Sequence, residues 1–392
     1  MIHIKQVGAV ALAIAAGAVT SSAQPAKATP NYVEIANRIV GTSANVKEGE
    51  IVELVGTPAD MPLLEELSVA CSQRGAWPLI VTGSESLLKK WTVQSIAKYD
   101  DKLDAARMAL AKTVNVIISL PTDRDASIYA SLPADRIAKL QQANTAIRQT
   151  LLSRNVRQIE LDNGLAPSPS RAKELGIDEG ELAALYWSGL AADYGGIQAK
   201  AKQVQDRLVK ANELRLTLPN GTDLKLKLSH KSQASDGVIT DAKAKAGGAQ
   251  VLLWLPAGEV LVTPMAGTVE GKLVDDRMVH GGKEALGVTA ELKAGKITSL
   301  TAKSGWDGIK AMYEAMPATK VEVSALDFGI NPVIRTGGKL ETYMGAGNVT
   351  ISTGANDWAG GTIKGRVGLR FLMSGATVTL DGTPFITNGV LN

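Results

Sequence analysis

The sequence predicts an α/β N-terminal domain with a mostly parallel sheet, followed by a β-rich α+β C-terminal domain. From residue 32 to about residue 212, short runs rich in β-forming residues alternate with longer helical patterns, which is typical of a parallel sheet covered by helices. From residue 213 to residue 392, apolar and polar residues alternate and turn signals separate the runs. A chain of 392 residues that is 45% hydrophobic is long enough for two such domains.

Residues 1–23 are predicted to be a signal peptide that is removed on export. Lys5 supplies a positive start, the run VGAVALAIAAGAV supplies an apolar centre, and Ser21-Ser22-Ala23 supplies small residues for cleavage. The apolar run is too short to span a bilayer comfortably, so removal is favoured over a retained anchor. We therefore expect a flexible mature N-terminus at residues 24–31, a location in the bacterial periplasm or outside the cell, and no stable membrane insertion after processing.

The first half contains four predicted strands, each short and ending in turn residues. They are EIVELVG, WPLIVTG, TVNVIISLP and RQIELDNG. Helical patterns separate them, among them SLLKKWTVQSIAKYDD and LPADRIAKLQQANTAIRQTLLSRN. The half closes with the helical run DEGELAALYWSGLAADYGGIQAKAKQVQDRLVKAN, in which the pair Gly195-Gly196 is expected to mark a break.

The second half is predicted to be built mainly of strands and hairpins. In ELRLTLPNGTDLKLKL, apolar and polar residues alternate on both sides of Asn220-Gly221, a dipeptide that favours a tight hairpin turn. The stretch VTAELKAGKITSLTA repeats this pattern around Ala294-Gly295. One clear helical pattern, WDGIKAMYEAMP, interrupts the later strands.

Composition and motifs exclude several classes of function. The 42 basic residues nearly balance the 39 acidic ones and aromatic residues make up 4% of the chain, so no nucleic-acid surface is predicted. The sequence has no phosphate-binding loop, dinucleotide-binding motif or nucleophile elbow. Cys71, the single cysteine, lies in a helical apolar pattern and is predicted to be a buried structural thiol. His230 and His280 are far apart, so a histidine-rich metal cluster is not predicted.

Four stretches of the second half together resemble one family. They are LTLPNGTDLKLKL, LPAGEVLVTPMAGTVEGKL, SALDFGINP and GNVTISTGANDWAGGTIKG. In this order they are similar to the aminopeptidase T-like (leucyl aminopeptidase) metallopeptidases, and the resemblance runs from about residue 32 to the end of the chain. It implies an α/β N-terminal domain, a β-rich C-terminal domain that carries the site, and a homodimer.

The resemblance implies a site with two divalent metal ions. Enzymes of this family hold the metals with carboxylates and histidines, and the metals activate the water that removes the N-terminal residue of a peptide. Glu259, in AGEVLV, matches the first carboxylate ligand. Asp327, in ALDFGINP, stands where the family has glutamate, and Glu341, in LETYMG, weakly matches a further glutamate.

The other positions implied by the resemblance are replaced. Thr350 stands where the family has a histidine, and Gly368 and Arg370 stand where it has a His-x-Asp pair. The tyrosine expected shortly after the first histidine is missing, and Asp357 lies in that neighbourhood as a further candidate for the cleft. An arginine brings positive charge to a place that holds cations in the family.

Arg370 suggests how the fold accommodates these replacements. We hypothesise that its guanidinium substitutes for a metal by pairing with the carboxylates of Glu259 and Asp327. The strand alternation that places Gly368 and Arg370 on one face leaves open whether that face is turned to solvent.

Three functions follow from the resemblance. The first, which the replacements favour, is an exported, non-catalytic relative without a bound cofactor that keeps the scaffold and binds peptides. The second is an active aminopeptidase that binds zinc, cobalt or manganese with a non-standard ligand set. The third is ring-cleaving dioxygenation by a single iron, another activity of this fold; it requires the two histidines and the aspartate that are replaced here.

Overall fold

The computed structural model describes residues 30–392 except residues 123, 125–127, 129–131, 281, 335–341, 358–360 and 366. The predicted signal peptide, residues 24–29 and the candidate ligand Glu341 lie outside the described residues. Within the described part of the chain, no helix is both long enough and apolar enough to cross a membrane.

Helices and strands alternate in the first half of the described chain, and strands dominate the second half. The helices are α1 Tyr32–Arg38, α2 Met61–Ser72, α3 Glu85–Gln94, α4 Ala105–Ala111, α5 Ala134–Ala143, α6 Thr145–Ser153, α7 Pro169–Leu175, α8 Glu179–Leu190, α9 Tyr194–Leu208, α10 Asp241–Ala246 and α11 Trp306–Glu314. The strands are β1 Ile51–Gly56, β2 Trp77–Thr82, β3 Val116–Ser119, β4 Arg157–Leu161, β5 Glu213–Thr217, β6 Asp223–Ser235, β7 Leu252–Leu255, β8 Glu259–Pro264, β9 Glu270–His280, β10 Lys283–Lys293, β11 Lys296–Thr301, β12 Val323–Gly329, β13 Val349–Gly354, β14 Val367–Met373, β15 Thr377–Leu380, β16 Thr383–Thr387 and β17 Val390–Leu391.

A five-stranded parallel sheet forms the centre of the first half. Its strand order is β2-β1-β3-β4-β7, and every neighbouring pair is parallel. Strands β1 to β4 are the four runs predicted from the sequence, whereas β7 comes from beyond residue 212. One face of the sheet is buried in the main core, for example through Leu54, Ile118 and Ile159, as expected of parallel strands.

The opposite face of the parallel sheet is covered unevenly. Helices α4 and α6 pack over its centre through a small apolar cluster that includes Ala111, Ile147 and Leu151. On the edge strand β2, Trp77 and Leu79 are 69% and 44% exposed. The centre of this face is therefore packed against helices, and its edge at β2 is exposed to solvent.

The last helical run of the first half divides earlier than predicted. Helix α8 ends at Leu190 and α9 begins at Tyr194, so Gly195-Gly196 lies inside α9 and the expected break at this pair is wrong. Asp193 sets the position of the break, because its side chain accepts a hydrogen bond from Gly195 N at 3.0 Å and caps α9.

The second sheet is antiparallel and contains twelve strands of the described chain. Its main path runs β14-β13-β12-β8-β6-β5-β15-β16-β17, and β9 joins it at β6 and carries β10 and β11. Both predicted hairpins are present, at Asn220-Gly221 between β5 and β6 and at Ala294-Gly295 between β10 and β11. Helix α11 is the predicted helix of this half, and the short α10 was not predicted. The predicted fold class is confirmed.

Cys71 is buried in α2, in agreement with the sequence pattern. Burial raises the pKa of its thiol to about 12, and the thiolate rather than the thiol is the reactive species. At neutral pH, Cys71 is therefore a packing residue.

Candidate functional site

The candidate site residues meet on one face of the neighbouring strands β8, β12 and β13. In the antiparallel register, Asp327 of β12 stands opposite Thr350 of β13 on one side and opposite Leu261 of β8 on the other. Glu259 stands opposite Gly329, two residues from Asp327. Residues that stand opposite each other share a face of a sheet, so Glu259, Asp327 and Thr350 lie on the same side.

Arg370 reaches this face from the next strand, β14. It stands opposite Ser352 of β13, two residues from Thr350. Four adjacent strands therefore carry the two carboxyls, two hydroxyls and one guanidinium.

The other face of these strands fixes them in the core. Leu326 and Phe328 flank Asp327 in the sequence and are fully buried, and the Phe328 ring meets the Phe385 ring edge-on at a centroid distance of 5.3 Å. Because side chains alternate along a strand, this packing holds Asp327 on the opposite side.

Asn163 reaches the site from the parallel sheet. It follows β4, and its Nδ2 donates hydrogen bonds to Glu259 Oε1 at 2.6 Å and to Pro256 O at 2.9 Å. Its φ of 39° is in the left-handed region, which asparagine adopts more readily than most residues. The sequence analysis did not identify Asn163. A signal was present, because ligands of open α/β sheets bind beyond the carboxyl ends of the strands, and the run RQIELDNG ends in Asp-Asn-Gly at such a position.

Three buried oxygens of the site have no hydrogen-bond partner among the described residues. They are Asp327 Oδ1, Thr350 Oγ1 and Ser352 Oγ, and the residues are 4%, 0% and 0% exposed. Buried polar atoms are normally satisfied by protein or ordered water. Three unsatisfied oxygens on two neighbouring strands are therefore unusual, and they are acceptors that a hydrogen-bond donor or a cation would satisfy.

Burial raises the pKa of both carboxyl groups of the site. For Glu259, the hydrogen bond from Asn163 and the charge of Arg370 oppose the rise. The pKa of Asp327 lies well above its usual value, because the charge of Glu259 adds to the effect of burial and Arg370 opposes them only in part. Burial and the repulsion between the two groups therefore both oppose the ionisation of Asp327.

Arg370 does not form the direct ion pair that we hypothesised. Among the described residues, it acts on Glu259 and Asp327 through its charge and not through a hydrogen bond. Its Nη1 donates to the hydroxyl of Tyr343 at 3.2 Å, and its Cζ lies 5.0 Å from the centre of the Tyr343 ring. The side chain is exposed, so the hypothesis is corrected: Arg370 stacks on Tyr343, which sequence reasoning missed.

Gly368 stands where there is no room for a side chain. A Cβ at this position would lie 2.4 Å from Thr353 Oγ1 and 3.2 Å from Lys320 O. The same Thr353 hydroxyl accepts a hydrogen bond from Leu369 N at 2.9 Å. The histidine implied by the resemblance therefore does not fit this strand pairing.

Asp357 and Glu341 are the remaining candidates from the sequence. Asp357 follows β13 and is exposed, and its N–H donates to Ile363 O at 3.2 Å. Glu341 lies outside the described residues.

The described residues do not fit the two-metal centre that the resemblance implies. No group of three or more histidine, cysteine, aspartate or glutamate side chains among them is placed to hold a metal ion. Thr350 offers a hydroxyl where an imidazole is implied, Gly368 offers no donor, and Arg370 offers a positive charge. Divalent ions of hydrolase sites take several protein ligands each, so this donor set is insufficient.

Comparisons with known proteins give a consistent result. The family model of thermophilic metalloproteases (M29) matches residues 29–320. Wild-type AmpT from Thermus thermophilus has the same fold, with a TM-score of 0.69 at 18% identity over 92% of this chain and 98% of that chain. The 2,5-dihydroxypyridine dioxygenase from Pseudomonas putida KT2440 gives a TM-score of 0.56 at 13% identity over 92% of this chain and 96% of that chain. No curated protein matches the sequence.

The family match covers most of the chain but only part of the site. Glu259 lies within the matched residues, and Asp327, Thr350, Gly368 and Arg370 lie beyond residue 320. The resemblance recognised in the four sequence stretches is confirmed by the match and by the shared fold. This chain belongs to the thermophilic metalloprotease (M29) family, the family of aminopeptidase T.

Proposed function

We propose that this protein is an exported, non-catalytic member of the family that binds peptides at the face formed by β8, β12, β13 and β14. The observation that carries the proposal is the donor set of this face. Where the resemblance implies two histidines and an acid, the chain has Thr350, Gly368 and Arg370.

The positive charge of Arg370 disfavours the binding of metal ions at this face. The charge of Arg370 opposes the rise in the pKa of both Glu259 and Asp327, and it repels a divalent metal ion between them about twice as strongly as a singly charged ammonium group. It supplies part of the positive charge that metal ions supply in a two-metal hydrolase. A fixed guanidinium cannot activate water, since it has no open coordination position.

The amino terminus of a peptide is the ligand that best complements the face. An ammonium group carries three hydrogen-bond donors and no acceptor. The unsatisfied oxygens of Asp327, Thr350 and Ser352, together with the carboxyl of Glu259, are acceptors on adjacent strands. Their number and type support recognition of an ammonium group.

An active metal-dependent aminopeptidase is the second candidate. The observation that favours it is the same group of unsatisfied oxygens, because manganese and other hard divalent ions prefer oxygen ligands. This candidate also requires a ligand beyond Glu259 and Asp327, and Glu341 is the residue available for that role.

Metal content and turnover together distinguish the two candidates. The full chain is purified without chelators, its zinc, cobalt and manganese are measured per chain, and aminoacyl substrates are tested with each metal added. We expect substoichiometric metal and no turnover in the wild type. Stoichiometric metal with turnover, lost in Glu259→Gln, would contradict the proposal and establish the aminopeptidase.

A matched variant reports on the replaced ligands. Thr350→His combined with Arg370→Asp restores two of the implied donors and leaves Gly368, which has no room for a side chain. We expect this variant to bind more metal than the wild type. Equal metal binding by both proteins would show that these positions do not control the metal content.

Export and dimerisation are part of the proposal. The positive start, apolar centre and small residues of residues 1–23 support export, and the family resemblance supports a homodimer. N-terminal sequencing of protein from the periplasm or medium, expected to begin near residue 24, tests export. Light scattering of the mature chain tests the dimer.

A further inference from the structure

Glu53 is a buried carboxyl in the parallel sheet, on different strands from the candidate site. It lies in the middle of β1, with Leu79 of β2 and Ile117 of β3 beside it in register, and it is 5% exposed. Among the described residues, no hydrogen bond or ion pair reaches its side chain; the charge of Arg107 is the one opposing influence on its pKa. A parallel strand normally has an apolar residue at such a position.

An apolar cavity of about 190 Å³ opens over Glu53. Its sheet side includes Val81 and Ile117, and its helix side includes Leu110 of α4 together with Ile147 and Leu151 of α6. An engineered apolar cavity of about 150 Å³ in another protein binds benzene. The cavity over Glu53 is therefore large enough for a molecule of about that size.

The electrostatics of the cavity favour a cation. Burial raises the pKa of Glu53, and Arg107 at the rim opposes this rise. Arg107 is exposed, so solvent screens its charge. A carboxyl that lacks a partner in an apolar cavity is unfavourable, and a ligand cation would supply that partner. An anionic ligand would be repelled by ionised Glu53, and a neutral alcohol would form a weaker hydrogen bond.

We propose that this cavity binds a small primary amine with an apolar body, whose ammonium group pairs with the Glu53 carboxylate. The apolar body packs between Val81 on the sheet and Leu110, Ile147 and Leu151 on the helices. The site uses β1 and β2 with α4 and α6, so it is distinct from the peptide face on β8, β12, β13 and β14.

Benzylamine and benzyl alcohol test the proposal as a pair of probes of nearly equal shape. Isothermal titration of the full mature chain should show saturable binding of benzylamine and binding of benzyl alcohol that is at least about tenfold weaker. Glu53→Gln should reduce the affinity for benzylamine about tenfold or more and leave the affinity for benzyl alcohol nearly unchanged.

Glu160→Gln is the matched control. Glu160 lies on the same face of the sheet, accepts a hydrogen bond from Trp254 Nε1 at 3.1 Å and does not line the cavity. This variant should bind benzylamine like the wild type. Equal losses of benzylamine affinity in Glu53→Gln and Glu160→Gln would overturn the proposal. They would show that removing any negative charge from this sheet weakens binding, whether or not the carboxyl lines the cavity.

A second variant acts on the cavity and leaves its carboxyl in place. Ala106 of α4 lines the cavity and is exposed, so Ala106→Phe should fill the mouth and abolish binding of both probes without disturbing the core. The absence of saturable benzylamine binding to the wild type, or unchanged binding to Ala106→Phe, would overturn the proposal. If Glu53→Gln does not fold, Ala106→Phe still tests whether benzylamine binds in this cavity.

Discussion

Asp327 and Thr350 stand directly opposite each other on β12 and β13, and each has a buried oxygen without a hydrogen-bond partner among the described residues. The family resemblance places a carboxylate and an imidazole at these two positions, both bound to metal. The carboxyl remains, and the imidazole has become a hydroxyl. The strand register therefore places two unsatisfied buried oxygens opposite each other on this face.

Thr350→Val tests whether the Thr350 hydroxyl is unsatisfied in solution. Valine keeps the shape of threonine and removes the oxygen, so we expect the free energy of unfolding to rise by about 1 kcal/mol in the absence of ligand. Thr353→Val is the control on the same strand, because its hydroxyl accepts from Leu369 N, and it should lose about 1 kcal/mol. Urea unfolding measures both; a loss of stability in Thr350→Val would show that water or an ion bonds to the hydroxyl.

Asn163→Asp tests the link between the parallel sheet and Glu259. The change removes the Nδ2 donor and brings a third carboxyl to Glu259, so we expect a loss of about 2 kcal/mol at pH 8 that diminishes at pH 4, where the carboxyls are protonated. Asn155→Asp is the control, since Asn155 also has positive φ but is exposed. An equal loss in both variants, measured by urea unfolding, would contradict the role of the hydrogen bond.

Arg370→Gln should make the stability of the protein more dependent on pH. The charge of Arg370 lowers the pKa of Glu259 and Asp327, so its removal raises both pKa values further. A carboxyl whose pKa is raised on folding loses stability as the pH rises from its unfolded pKa through its folded pKa. Relative to the wild type, the variant should therefore be less stable at pH 8 and nearly equal at pH 4.

Arg215→Gln is the control for the Arg370 experiment. Arg215 forms an exposed ion pair with Asp223 at 2.7 Å, and such pairs contribute little to stability. Adding a chelator should leave the melting temperature of the wild type unchanged. A large decrease on chelation would show that a metal, and not Arg370, neutralises the carboxyls.

Asp275→Asn tests a buried carboxyl outside the site. Burial raises the pKa of Asp275 from its usual value of 3.8 to about 6, so the fold loses stability as the pH rises through this interval and keeps that loss at higher pH. The variant should gain up to about 3 kcal/mol at pH 8, since one pKa unit is about 1.4 kcal/mol, and nothing at pH 3. Asp276→Asn, at the exposed neighbour, should change little; a similar gain at both pH values would contradict burial as the cause.

Local patterns predicted much of the fold, because the relevant contacts are close in sequence. The hairpins follow from alternation around Asn220-Gly221 and Ala294-Gly295, and the first four parallel strands follow from short apolar runs ending in turns. The position of β7 could not be predicted in this way, since it pairs with β4 about ninety residues earlier. The break before α9 was misplaced because the cap of Asp193 outweighed the low helix propensity of Gly195-Gly196.

Motifs in the sequence selected candidate site residues but not the contacts that these residues make. They identified Glu259, Asp327 and Thr350, which the register brings to one face. They did not identify Asn163, whose contact with Glu259 spans 96 residues, or the stacking of Arg370 on Tyr343. The Asn163 contact depends on how the two sheets meet, and the Arg370 contact depends on the position of Tyr343 between β12 and β13. Residue type and spacing along the chain encode neither arrangement.

Strand β7 completes the parallel sheet, and after a connection of three residues the chain enters β8, in the middle of the antiparallel sheet. Cutting the gene at residue 212 would remove the edge strand β7 from the parallel sheet. In the other fragment, the apolar side chains of β7 would then be exposed to solvent. Recombination at residue 212 would therefore not exchange either sheet intact between proteins. An exchange that preserves both sheets needs a different crossover point, or a copy of residues 252–264 in each fragment. Because the connection from β7 to β8 is short, we expect the two halves of the chain to be inherited together.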